Sequence, residues 1–393
     1  MRKLLEESFR AAVAAADPLE ILGPHLPPPP RGRTFVAAAG KAAASMALAV
    51  ERHWPAAAPL DGIAVTRYRH GLPTKRVRVV EAGHPVPDEA GERAAREMLS
   101  RVGELGPDDL LLALLSGGGS SLLSLPAPGV TMTELKVLTN ELLRSGADIR
   151  EMNTVRKHVS AIAGGRLAAA SRAPVLALII SDVVGDDPTH IASGPCASDP
   201  TTIDDARAIL EKYGISYQGA FAESPKSLDA ENKVVATAYR SLQAAADCFR
   251  AQGIRSEILG DTITGEARDV ALDMARLARR TQGPAALISG GECTVTIRSD
   301  GGRGGRCSEF LLALGIESGG LWAIAADTDG IDGSEDNAGA VLTPESMKKD
   351  LDARAYLDRH DSYSFFRELG DLVITGPTRT NVNDYRAILV TPA

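Results

Sequence analysis

The run Leu110-Leu111-Leu112-Ala113-Leu114-Leu115, with the glycine-rich turn at its end, constrains this chain more than any other stretch. It has strand length, no polar alternation and an abrupt end in Ser116-Gly117-Gly118-Gly119-Ser120-Ser121, the pattern of a strand buried on both faces in a parallel sheet. Ligands bind at the carboxyl edge of such sheets. Glycines there let main-chain N–H groups approach an anion, and a helix starting at the loop turns its positive end to the same point. The expected guest is a phosphate, against Gly117, Gly118, Gly119 and Ser120. The stretch is not the dinucleotide fingerprint, because Leu122 stands at the third glycine position, and not a Walker A loop, because no Lys follows the glycines.

The same strand, glycine, helix order opens the chain. A helix over 3–16 and the stiff Pro27 to Pro30 spacer precede a strand at 34–39, which turns at Gly40-Lys41 into the alanine-rich helix 42–51. Strands are expected at 62–66 and 76–80, with helices at 88–102 (N-cap Asp88), 131–144 and 155–171. A further apolar strand, 174–180, ends in Ser181-Asp182. The polar stretch 199–229 sets a domain boundary, giving domains 1–225 and 226–393. Beyond it, strands are expected at 233–237, 285–288, 294–298, 321–326, 372–375 and 385–390, and helices at 239–251, 267–279 and from Phe310. Ser289-Gly290-Gly291 echoes Ser116-Gly117-Gly118, which suggests two related halves. Alternating strands and helices imply an α/β protein, parallel and doubly wound in both halves.

With 393 residues, 44% of them hydrophobic, the chain can bury a large core. A net charge of −8 gives no basic field for nucleic acid, and an aromatic content of 4% argues against base-stacking platforms. Four cysteines without a C-x-x-C pair fit a reducing cytoplasm rather than a zinc or disulfide framework. No apolar run is long enough for a membrane span, so no membrane partner is expected.

Several side chains can carry chemistry. Lys41 follows a strand at a helix start, where an ammonium suits a phosphate or carboxylate. Asp327 and Asp329 end another apolar strand, and hard cations such as Mg2+ take one or two such carboxylates and complete their shell with water and phosphate. Asp182 and Asp186 bracket a turn, where either can take a proton, hold a metal or cap the turn. Arg303 and Arg306 lie in a Gly/Arg loop that could stabilise a transferring phosphoryl group. Arg156 and Lys157 fall at the front of the expected helix, where the dipole disfavours cations, so an anion nearby would relieve them. No acyl-transfer constellation is present.

Together these motifs resemble the glycerate 2-kinase family, whose C-terminal portion is called the MOFRL domain. The resemblance runs through Ala39-Gly40-Lys41-Ala42-Ala43, Gly83-His84-Pro85-Val86-Pro87, Ser116 to Ser121, Asn153-Thr154-Val155-Arg156-Lys157-His158, Ser181-Asp182-Val183-Val184-Gly185-Asp186, Ser193-Gly194-Pro195, Ser289-Gly290-Gly291-Glu292, Asp327 to Gly333 and Thr375-Gly376-Pro377-Thr378. It implies two Rossmann-like domains with a cleft, ATP and Mg2+ as cofactors, D-glycerate as substrate and 2-phosphoglycerate as product; a monomer or homodimer is the expected assembly. On that resemblance Lys41 and Arg306 are the cleft cations; beside it, the residues themselves suggest that Asp182 receives the hydroxyl proton, that Ser116 with Arg156 or Lys157 holds the substrate, and that Asp327 and Asp329 hold the metal. Two departures stand out: Cys307-Ser308 where the family reads Asn-Gln, and Arg379 where it reads Gly. The rival expectations are an NAD(P)H-dependent hydroxypyruvate reductase, which lacks a visible nicotinamide fingerprint, and a non-catalytic sugar-acid-binding protein.

Overall fold

The computed structural model describes residues 1–298, 301–348 and 351–391. They form two compact units, one of Pro18–Val235 and one of Met1–Asp17 together with the chain from Ala236 onward. The expected boundary at 225/226 thus lies ten residues before the break between units, and the first helix groups with the second unit.

The first unit is built on a six-stranded sheet of β1 (Thr34–Ala39), β2 (Leu60–Arg67), β3 (Val77–Ala82), β4 (Leu110–Leu115), β5 (Val175–Ile180) and β6 (Ala230–Ala236). The order is β3-β2-β1-β4-β5-β6, with β1 to β5 parallel. Every residue of β1, β4 and β5 is buried, as their unbroken apolar runs require. The helix Glu89–Gly103 is capped by Asp88, whose carboxylate accepts from Gly91 N at 3.0 Å. It buries Ala94, Ala95, Met98 and Val102 in the same core as Phe35, Ile63 and Leu111.

In the second unit β7 (Arg255–Gly260), β9 (Ala285–Ser289), β11 (Trp322–Asp327), β12 (Gly339–Leu342), β13 (Leu372–Val373) and β14 (Asp384–Val390) form a sheet ordered β13-β12-β11-β14-β9-β7. Only β7 and β9 run parallel; β9 with β14, β14 with β11, β11 with β12 and β12 with β13 are antiparallel. The α/β class is as expected, but the parallel arrangement in both halves is corrected to one parallel and one mixed sheet. The Ser-Gly-Gly echo is therefore a shared turn rather than a sign of matched halves. The expected strand 294–298 reduces to a two-residue ribbon, β10 (Cys293–Thr294) beside β8 (Gly265–Glu266).

Alternation on the strands of this mixed sheet feeds two cores. Ala286 and Ile288 face helices Arg2–Ala14 and Ala238–Arg250, while Leu287 faces helices Ala267–Arg280 and Arg306–Ser318. The first helix seals its side with Leu5, Phe9 and Ala12, and Tyr385 donates its hydroxyl to Ser8 Oγ at 2.7 Å. No helix among the described residues is long and apolar enough to cross a membrane.

Candidate functional site

Two adjacent strand ends make the glycine site of the first unit. Gly40 has φ +126°, and a Cβ there would fall 2.2 Å from Ser116 Oγ, so only glycine lets the β1 and β4 turns meet. Lys41 N donates to Gly117 O at 2.9 Å and Ala42 N donates to Ser116 Oγ at 3.1 Å. Ser116 is fully buried, so it ties the two turns together rather than meeting a substrate. Lys41 is half-buried beside Gly118, where an added Cβ would lie 3.4 Å from Lys41 Cγ and 2.9 Å from the His84 ring. The structure therefore brings Lys41, His84 and the glycines to one sheet edge. The helix expected after the loop is a single turn, Gly119–Leu122, too short to build a dipole worth invoking.

Ser120 Oγ lies 2.8 Å from Ser193 Oγ, which donates to Asn153 Oδ1 at 3.3 Å. Asn153 Nδ2 in turn donates to His190 O at 3.4 Å. Ala192 and Ser193 sit at φ 51° and 59°, left-handed backbone that costs energy in residues with a Cβ. Gly119 makes room for them, since a Cβ there would be 2.5 Å from Ala192 Cβ. Asp182 is half-buried in the loop that leaves β5.

The helix expected over 155–171 is instead Ile149–His158, started by Asp148, whose carboxylate accepts from the Arg150 and Glu151 amides. Arg156 and Lys157 thus occupy its last turn, where the dipole favours cations, and the strain inferred from a helix front is corrected. Lys157 is 1% exposed and paired with the equally buried Asp199 at 3.2 Å, a structural ion pair that leaves no ammonium for a substrate. Arg156 differs. It is half-buried, its side chain makes no hydrogen bond or ion pair among the described residues, and desolvation lowers its pKa from the ordinary value. Asn153 and Arg156, three residues apart, share one helix face.

In the second unit Arg306 gathers acids from three separate strand ends. Its Nη2 donates to Asp327 Oδ2 at 2.6 Å and its Nε to Asp384 Oδ1 at 2.8 Å, and Nη1 lies 3.3 Å from Glu292 Oε1. Burial works against its charge, but Asp384, Asp327 and Glu292 outweigh that and hold its pKa above the ordinary value. Arg386, 2% exposed, pairs with Asp384 Oδ2 at 3.0 Å and donates to Gly290 O and Gly291 O. Sequence reasoning missed Glu292 and Asp384 as partners of Arg306, for nothing in a strand-end acid announces which cation it meets.

Asp327 Oδ1 accepts from Asp329 N at 2.9 Å, so both its oxygens are engaged, and Asp329 Oδ1 accepts from Ile331 N. Among the described residues no group of three or more His, Cys, Asp or Glu could hold a metal. The pair suits only a hard cation that brings most of its ligands as water and phosphate oxygens. Cys307 and Ser308 are buried: the amides of both donate to Asp332, as does Ser308 Oγ at 2.6 Å, so these departures face the protein interior. The Gly/Arg loop is anchored, with Arg303 paired to Glu335 and its amide donating to Asp361 Oδ1. Arg379 is half-buried at φ 60°.

Comparison with known proteins places this geometry. Residues 4–225 match the model of a domain of unknown function, DUF4147, and residues 285–384 match the MOFRL family. A relative from Agrobacterium vitis, provisionally named a hydroxypyruvate reductase, is 50% identical over 99% of this chain and 94% of its own. A glycerate 2-kinase of Pyrococcus horikoshii is 40% identical over 92% of this chain and 88% of its own. The crystal structure of glycerate kinase from Thermotoga maritima superposes with a TM-score of 0.88 at 36% identity, covering 99% of both chains.

Proposed function

This chain belongs to the glycerate 2-kinase family, and from that premise we propose a phosphotransferase that moves the terminal phosphoryl group of ATP, as its Mg2+ complex, to the 2-hydroxyl of D-glycerate. The observation that carries the reading is Lys41 seated beside Gly118 at the carboxyl edge of β1 and β4, a cation and a glycine main chain at one point of a parallel sheet. Phosphoryl transfer asks for positioning and charge neutralisation more than covalent help. Lys41 neutralises phosphoryl oxygens held along Gly117 to Gly119. Arg156, without a partner among the described residues, pairs with the glycerate carboxylate in a charge-assisted bond. Asp182, half-buried in the β5 loop, takes the hydroxyl proton. In the second unit Arg306, engaged by Asp327, Asp384 and Glu292, holds those three acids together. Mg2+, were it bound, would be held by Asp327 and Asp329 of the second unit and would supply Lewis-acid charge neutralisation.

The test is turnover of D-glycerate with ATP and Mg2+, coupled to enolase with and without a phosphoglycerate mutase. Product that feeds enolase directly is expected. Absence of ADP, with NADH consumed on hydroxypyruvate, overturns the reading. The turn after β1 reads Gly40-Lys41-Ala42-Ala43-Ala44, without the glycine spacing that a nicotinamide dinucleotide uses there.

A further inference from the structure

The hydrogen-bond chain from Ser120 to His190 satisfies all its buried groups in one direction. A main-chain carbonyl can only accept, so the Asn153 atom facing His190 O is Nδ2, which fixes Oδ1 toward Ser193. Asn153 and Ser193 are 3% and 2% exposed. If Ser193 gave its one proton to Ser120 instead, Asn153 Oδ1 would be buried without a donor, at a cost of about 1–3 kcal/mol. The direction that leaves every group paired has Ser193 donating to Asn153 and, across the 2.8 Å contact, Ser120 donating to Ser193. With its proton committed inward, the half-buried Ser120 hydroxyl presents only lone pairs to a ligand. A phosphate oxygen, itself an acceptor, gains nothing from it.

We propose that Ser120 is a specificity residue that accepts a hydrogen bond from a substrate hydroxyl, and that the hydroxyl is the one of glycerate that does not react. The choice between the two hydroxyls follows from the end of the chain. Asn153 neither ionises nor passes a proton on, so Ser120 can hold a hydroxyl but cannot relieve it of its proton, as the reacting oxygen requires. The inference rests on the glycerate reading and replaces the expectation that Ser120 binds phosphate.

The experiment compares D-glycerate with D-lactate, which is glycerate without its 3-hydroxyl, in wild type, Ser120→Ala and Asn153→Ala. Turnover with ATP and calorimetric binding are both measured. Wild type is expected to prefer D-glycerate, and Ser120→Ala to shrink that preference about tenfold, through the glycerate KM, while the KM for ATP stays within about twofold; a tenfold change is the scale of one hydrogen bond. Asn153→Ala frees the Ser193 proton to turn toward Ser120 and is expected to shrink the preference in the same direction, so it carries the test if Ser120→Ala does not fold. An equal loss with both acids, or a raised KM for ATP, overturns the assignment. Ser120-dependent preference in binding without ADP formation would keep it and overturn the kinase reading instead.

Discussion

Lys41 and Arg156 are both cations of the first unit, but their surroundings separate their roles. Lys41 stands over the glycine turn and Arg156 on a helix end with no anion among the described residues to satisfy it. Lys41→Ala is expected to lower kcat by about 100-fold or more, the scale of losing a preorganised charge at the transition state. Arg156→Gln should raise the KM for glycerate about 10- to 100-fold with little change in the KM for ATP, as for loss of a charged hydrogen bond. Steady-state kinetics on both substrates separates the two; matching effects would refute the division. Asp332 offers a pH test. Burial pushes its carboxyl up from 3.8 to about 6, against the hydroxyl of Ser308 and the amides of Cys307 and Ser308. Because the folded-state pKa lies above the unfolded one, the folded protein holds the proton more tightly. The resulting stability is present below about pH 4 and lost as pH rises through about 6. Melting curves from pH 4 to 7 should show this slope in wild type and lose it in Asp332→Asn.

At the scale of elements, burial on both faces makes β1, β4 and β5 legible: an uninterrupted apolar run has few other uses. The same reasoning fails on strand direction in the second unit, since a strand covered on both faces looks alike whether its neighbours run parallel or antiparallel. β7 escapes it because Arg255, Ser256 and Glu257 give an edge strand a polar face, and β12 because Gly339-Ala340-Val341-Leu342 is too short to show a period. The helix at Ile149 is misplaced by periodicity because its start is written in the Asp148 and Glu151 capping box rather than in its apolar residues. Of the candidate residues, Lys41 and the glycines are readable from their place after strands. The acids around Arg306 are not, for Glu292, Asp327 and Asp384 meet only once β9, β11 and β14 are side by side. Arg386 joins two of those strand ends. Arg386→Met should cost stability toward the lower end of about 3–5 kcal/mol, because it strips Asp384 of one partner while Arg306 keeps the other. Urea denaturation measures it, and an unchanged midpoint would show the pair to be dispensable.

For the whole molecule, the second unit is discontinuous in sequence. Its helix Arg2–Ala14 is separated from the rest by the entire first unit, and still supplies Leu5, Phe9 and Ala12 to the core. Phe9 is 2% exposed against Tyr385, with ring centroids 5.9 Å apart. Phe9→Ala is expected to destabilise the second unit by about 3–5 kcal/mol, the range for an aromatic removed from a packed core. Hydrogen exchange should show the protection lost on β11 and β14, and unchanged exchange there would refute it.

That arrangement sets an order on biosynthesis. Ser8 and Tyr385, which share a hydrogen bond, are 377 residues apart. At about 5–20 residues per second, a ribosome takes roughly 20 to 75 seconds to make the second after the first. Until the helix Ala238–Arg250 is made, the amphipathic helix Arg2–Ala14 lacks the first partner for its apolar stripe, and the segment Pro18–Val235 is complete before that partner exists. During that wait the apolar stripe of Arg2–Ala14 is open to chaperones and to wrong partners.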